Sequence, residues 1–543
     1  MHPFRLIVLA LGSAALLAAG CDRGPRGPRS RLTVAIPRDV GPLSPYIGDG
    51  SVLLGLVYDK LFEPSPFVPE PGPGLAESAT QVDSITWLVR LRGGVTWHDG
   101  APFTAEDVRF TFQYYRDGPP NRYTHHVSAV PRIERIEVEG PLAVRFVCAY
   151  PCPLLARVTF ADLPILPKHI WERITEPRKY AALPVGTGPY RLAEYQPDRY
   201  YKFVANGKYF LGRARAEELV MPIVPEQSAT FIALRTARVD AAARDLPPEL
   251  VAQFSRLPQL SIIRTSSLSI IELRPNFTRP PFDIAAFRRA LSLAVNRDTL
   301  VRTVLLGQGR PGTRGYPHPD SPWSNPDLRT PFDRASAVRL LDSLGFRDRD
   351  RDGVRETAGG SPLSFVLKVN LAEPTWIRMG EMLVGQLAAV GVRLRLETLE
   401  AGVLSTQTSA RDFDLFIGEA GAHGAADPDQ FVMALQSGYL WRDGLPYPEL
   451  DSLIAAWKRA STVDARRSAG FALQALFNER PTSIALAYPD QRWAVRPEAY
   501  DGWVESPGYG IVHKWSFLPP ESRVGTGARA ASASAARERD APR

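Results

Sequence analysis

Asp348, Asp350 and Asp352 alternate ahead of Gly353, the spacing at which a calcium loop supplies its first oxygens and then turns. Such a loop closes with a bidentate glutamate at its twelfth position. Gly359 stands there instead, and the nearest acid is Glu356. An exposed acidic turn is therefore expected, with a metal on Asp348, Asp350 and Asp352 as the less favoured reading. Cys148 and Cys152 enclose Ala-Tyr-Pro, a spacer one residue longer than that of a redox-active pair. A local disulfide would close there in an oxidising compartment. Gly307-Gln-Gly-Arg-Pro-Gly312 has the spelling of a dinucleotide fingerprint, but it follows a helical pattern and carries a proline, so it reads as a loop. The eight histidines are scattered, and His125-His126 reads as a solvated pair in a loop. Asn276-Phe-Thr278 spells a glycosylation sequon and nothing more. Neither a Gly-x-Ser-x-Gly elbow nor a His-Glu-x-x-His helix is present. No catalytic set assembles, no cofactor is expected, and the chain does not read as an enzyme.

The ends of the chain say where it works. Arg5 precedes an apolar run from Leu6 to Ala19, too short for the roughly 20 residues of a membrane-spanning helix and suited to an export signal. The run ends Leu17-Ala-Ala-Gly-Cys21, which resembles a lipobox. Residues 1–20 then read as a lipoprotein signal peptide and Cys21 as the lipidated residue. A basic tether over residues 21–31 would lie against anionic headgroups. The Ala/Ser/Arg-rich stretch 521–543 has too few large apolar residues to fold and reads as a disordered tail.

The formal charge of +7 sits at these ends, which leaves residues 32–522 neutral. A neutral body lacks the basic face that nucleic acid requires. Apolar content of 44% marks that body as folded. Its short β-type runs alternate with amphipathic helical stretches, the pattern of α/β layers. Strands are expected at Leu32–Pro37, Thr86–Arg92 and Val392–Thr398. Thr104-Ala-Glu-Asp107 should open a helix through a capping box. Asp283 should cap a second helix carrying Phe287, Leu291, Ala294 and Val295, and Asp333 a third from Ala335 to Leu344. A fourth is expected at Arg378–Val390, stopped by Gly391.

Eight segments in order resemble family 5 of the extracellular solute-binding proteins, the dipeptide- and oligopeptide-binding type of ABC importers. They are Leu56-Val-Tyr-Asp-Lys-Leu-Phe62, Gly74-Leu-Ala-Glu-Ser78, Trp87 to Gly100 running into Phe103-Thr-Ala-Glu-Asp-Val108, Ile165-Leu-Pro-Lys-His169, Val185-Gly-Thr-Gly-Pro-Tyr190, Phe287 to Asn296, and Asp427-Pro-Asp429. The resemblance implies a two-lobed periplasmic-binding-protein fold of the cluster C type, with an extra α/β subdomain on the first lobe. Residues 32–265 and 488–520 would form lobe I, with the subdomain at about 53–183, and residues 266–487 lobe II. The chain should cross between lobes near Arg264–Ser269 and Ile484–Pro489, with Val185–Tyr190 as an architectural turn beside the hinge.

Family position also implies a ligand site. Peptide-binding members hold the ligand's α-ammonium with an aspartate three residues before the Asp-Pro pair, where this chain has Gly424. Either the ligand lacks a free α-amine, which is the reading favoured here, or Glu419 supplies the charge; Glu419 and His423 are the nearest replacements. Tyr46, Leu53, Arg274 and Trp376 are further pocket candidates by position. The function implied is delivery of a small peptide or similar-sized solute to an ABC permease. The protein would be a monomer in the periplasm or at the cell surface, anchored to the membrane by lipid on Cys21. A sensory or scaffolding binding protein without its own transporter, and a secreted hydrolase, are the alternatives.

Overall fold

The structure, a computed structural model, describes residues 29–47, 51–68, 70–128, 132–421 and 448–526. The signal, Cys21, His423, Gly424 and the Asp427-Pro-Asp429 segment lie outside these residues. Among the described residues no helix is long and apolar enough to cross a membrane.

One strand organises the molecule. Ile484–Val495 pairs through Ile484 to Pro489 with Ile270–Pro275 and Gly309–Pro311, and through Asp490 to Val495 with Ser261–Ser266 and Ala241–Ala242. It thereby joins the sheets of two α/β lobes, and the change of partner falls between Pro489 and Asp490. In the first lobe the order continues through Arg29–Ala35, Ala216–Pro222, Tyr200–Ala205 and Tyr190–Gln196. In the second it continues from Ile270–Pro275 through Leu415–Ala420, Ser364–Asn370 and Arg393–Leu399. A separate antiparallel sheet of Ala76–Gln81, Thr86–Leu91, Ala143–Cys148 and Ile133–Gly140 forms the subdomain of the first lobe.

The helices follow from local chemistry. Ala105–Asp117 begins with the Thr104 N–H donating to Asp107 Oδ2 at 2.9 Å, and it buries Val108, Phe112 and Tyr115. Asp333 caps Arg334–Ser343 by accepting from the Ser336 N–H at 2.9 Å, and Gly345 follows in the left-handed region at φ +80°. The helix expected from Arg378 begins earlier, at Pro374, where proline's missing N–H costs nothing in a first turn.

Several expectations need correction. Asp283 does not cap its helix: Ala285–Ala294 starts from Ile284, while the Asp283 carbonyl accepts from the Arg288 guanidinium at 3.0 Å. The tether ends earlier than composition indicated, because the Arg29–Ala35 backbone pairs in parallel with Ala216–Pro222. The tail starts later, since Pro520–Thr526 is a 3-10 helix and Arg523 donates to the Leu518 carbonyl at 3.0 Å. Gly309–Pro311 is a short strand at the lobe crossing, not simply a loop. His126 is not solvated. It is buried, with Nε2 3.0 Å from Asp162 Oδ2.

Val185–Tyr190 has a specific reason for its glycines. A Cβ on Gly186 would stand 1.9 Å from the Val57 carbonyl oxygen, and one on Gly188 2.5 Å from that of Leu56. Thr187 between them donates to buried Asp59 at 2.7 Å. This turn therefore locks onto the helix end at Ser51–Val57 by close backbone approach.

Candidate functional site between the lobes

Glu419 lies on Leu415–Ala420 in register with Ile271, at the hinge end of the second-lobe sheet. Its side chain is solvent-accessible yet surrounded by protein, the situation of a group facing a cleft. Burial raises its carboxyl above the usual range, opposed by a hydrogen bond from Ser269 and by the Arg274 charge.

Two further carboxyls share this field. Glu373, just before the Pro374–Ala388 helix, is raised by burial and then by repulsion from Glu419, with Arg244 opposing. Asp245 follows the Ala241–Ala242 strand on the first lobe. Burial pushes its carboxyl up to about 7, against the Arg492 N–H and charge, and Glu419 and Asp490 add to the rise. Its Oδ1 accepts from the Arg492 N–H at 2.5 Å. Acids from both lobes therefore meet here, each opposed by an arginine (Arg492, Arg244 and Arg274), and burial leaves Asp245 with its carboxyl pushed up to about 7.

Arg274 belongs to the same site. It donates through Nη2 to the Glu419 carbonyl at 3.2 Å and through Nε to Glu272 at 2.6 Å, and it lies over the Phe416 ring at 5.6 Å. It also borders a cavity of about 170 Å³ lined in part by Phe277, Phe413 and Phe416, at the end of its strand away from the hinge. Trp376 sits in the first turn of the Pro374–Ala388 helix, packed against the second-lobe core.

Tyr46 and Leu53 do not join this group. Tyr46 is buried among Tyr114, Tyr115 and Trp171, and its hydroxyl donates to the Tyr114 carbonyl at 3.3 Å. Leu53 is in the core of the first lobe. Asp245, Glu373 and Arg244 were missed by the sequence reading. Each looks like an ordinary surface charge until the fold brings them together, and no local spacing marks them.

The other expected sites are separate from the cleft. Cys148 and Cys152 are bonded, with Cα atoms 6.5 Å apart, and both are buried. Asp348, Asp350, Asp352 and Glu356 bring ligand atoms within 4.8 Å of one another. Their oxygens already accept from the loop's own N–H groups: Gly353 to Asp348, Asp352 to Asp350, Val354 to Asp352 and Arg349 to Glu356.

Two lobes joined by a shared strand, with charged side chains converging between them, define a ligand-binding protein of the periplasmic type. The family model for bacterial extracellular solute-binding proteins, family 5 (middle) matches residues 70–441, and the chain belongs to that family. It is 25% identical over 467 residues to the oligopeptide-binding protein AppA of Bacillus subtilis, covering 81% of this chain and 82% of that one. It is 25% identical to the dipeptide-binding protein of Escherichia coli, covering 83% and 87%. The solved structure of B. subtilis AppA with a nonapeptide shares the fold with a TM-score of 0.77 at 21% identity, covering 91% of this chain and all of that one. The Campylobacter jejuni NikZ structure with Ni(L-His) superposes with a TM-score of 0.79 at 22% identity, covering 90% and 98%. The chain is a solute-binding protein and not an enzyme.

Proposed function

We propose that this protein captures a small solute bearing a positive charge, of the peptide class, between its lobes and delivers it to an ABC permease. The observation that carries the reading is the convergence of Asp245, Glu373 and Glu419 from opposite sides of the cleft, with their carboxyls pushed up. An ammonium placed among them offsets the repulsion of Glu419 on Glu373 and Asp245, and more so as the lobes close over the solute. This favours Glu419 as the acid that answers for Gly424, over a ligand without a free amine. The relatives named for oligopeptide and dipeptide binding agree with that size and chemistry.

Calorimetry with unmodified and N-acetylated di- to pentapeptides tests it. Free-amine peptides should bind, acetylated ones should lose about tenfold or more, and Glu419→Gln should remove most of the difference, since a buried charge pair carries several kcal/mol. Equal binding of both sets defeats the reading.

The same proposal includes a lipid on Cys21, which holds a monomeric protein at the membrane surface. Each buried methylene of such a chain contributes about 0.8 kcal/mol. Cys21→Ser should therefore move the protein to the soluble fraction. If it stays with membranes after a high-salt wash, the anchor lies elsewhere.

A further inference from the structure

The lobes also meet apart from the strand crossing. Just after the disulfide, the turn through Cys152 to Val158 divides its side chains. Leu155 enters the core of the first lobe. Leu154 and Val158, four residues apart and so on one side of a helical turn, enter a different cluster. The other buried members of that cluster belong to the second lobe, among them Phe277, Trp323, Leu450 and Trp457. Leu154 and Trp457 are each 1% exposed, so this is a packed interface and not a grazing contact.

A charge crosses at the same place. Arg466, on the Val463–Glu479 helix, is fully buried. Its Nη2 donates to the Pro151 carbonyl at 2.5 Å, its Nε to the Ala460 carbonyl at 3.3 Å, and its guanidinium lies 5.4 Å from the Trp457 ring centre. Pro151 sits inside the loop that Cys148 and Cys152 close. Parting the lobes would withdraw that carbonyl from a buried cation and open an apolar cluster to water at once.

We propose that the Cys148–Val158 segment is a latch that holds the two lobes together, and that the Cys148–Cys152 bond sets its grip by fixing the Pro151 carbonyl toward Arg466. The latch is independent of which solute the cleft takes.

The test uses the full chain, freed of solute by dialysis in mild denaturant. X-ray scattering and amide hydrogen exchange are compared for wild type, Leu154→Asp and the double variant Cys148→Ser/Cys152→Ser. In both variants the radius of gyration should rise. Exchange protection of the Pro448–Arg459 and Val463–Glu479 helices should fall about tenfold or more, as for a region that has lost its packing partner. Protection of the Thr86–Leu91 strand should stay at the wild-type level, which shows that the first lobe is folded. If Leu154→Asp fails that check, Val158→Ala replaces it, with a smaller change in the same direction. An unchanged radius and unchanged helix protection in the folded latch variant overturns the latch. The same result in the double serine variant overturns the role of the disulfide.

Discussion

Replacing Lys514 with methionine is expected to lower the melting temperature of the first lobe by on the order of 10 °C, from a loss of about 3–5 kcal/mol. Lys514 is 4% exposed and stands between Asp59 and Glu63, both also buried. Its ammonium pairs with Asp59 and, at 2.6 Å, with Glu63. Burial works against its charge, but the two acids outweigh burial and hold its pKa above the ordinary lysine value. Glu63 is the group under stress: burial raises its carboxyl, Lys514 lowers it, and Asp59 raises it again. Removing the cation leaves two buried acids facing each other, with Lys60 as the remaining positive charge acting on Glu63. Asp59 also accepts from Tyr209 at 2.9 Å and from Thr187, so the loss reaches the Val185–Tyr190 turn, which leads into the strand of the first-lobe sheet farthest from the crossing strand. Adding Asp59→Asn and Glu63→Gln to the methionine variant should recover part of the stability, because neutral groups tolerate the burial better than unpaired charges. Thermal unfolding followed by circular dichroism measures both. A methionine variant that melts with the wild type would show that the network does not support the lobe.

The reach of sequence reasoning follows from how local each feature is. The Thr104 capping box and the Asp333 cap were legible because their donors and acceptors lie within one turn of chain. The two-lobed architecture was legible through ordered segments whose glycines answer a steric demand, as Gly186 does against Val57. Tyr46 and Leu53 were assigned to a pocket by family position, yet aromatic packing and a helix face put them in the core. His126 looked like half of a polar pair and is buried because Asp162 waits for it across 36 residues. The cleft acids at 245, 373 and 419 come from three distant segments, and nothing in any one of them announces the other two.

The cleft should couple solute binding to a proton. Asp245 has its carboxyl pushed up to about 7, first by burial, while Glu419 and Asp490 add negative charge and Arg492 subtracts it. With the folded value raised, the sign is fixed. The proton-bound form stabilises the native state fully below the ordinary carboxylate range, and that contribution is lost as pH rises through about 7. A cationic solute reverses the preference, because it favours the ionised carboxylate and so expels the proton. Affinity should therefore climb by up to about tenfold per pH unit from roughly pH 5 toward 7, then level off, as one linked proton requires. Below neutrality, calorimetry in buffers of different ionisation enthalpy should report close to one proton released per solute bound. Asp245→Asn should flatten the climb and abolish the buffer dependence, whereas Glu419→Gln should weaken binding and, by removing a negative neighbour, shift the climb to lower pH. A cationic peptide that binds equally at pH 5.5 and 7.5 would exclude Asp245 from the cleft's chemistry. Loss of the pH response with Asp245→Asn, alongside retained binding at pH 7.5, would place the proton on that carboxyl and not on Glu373.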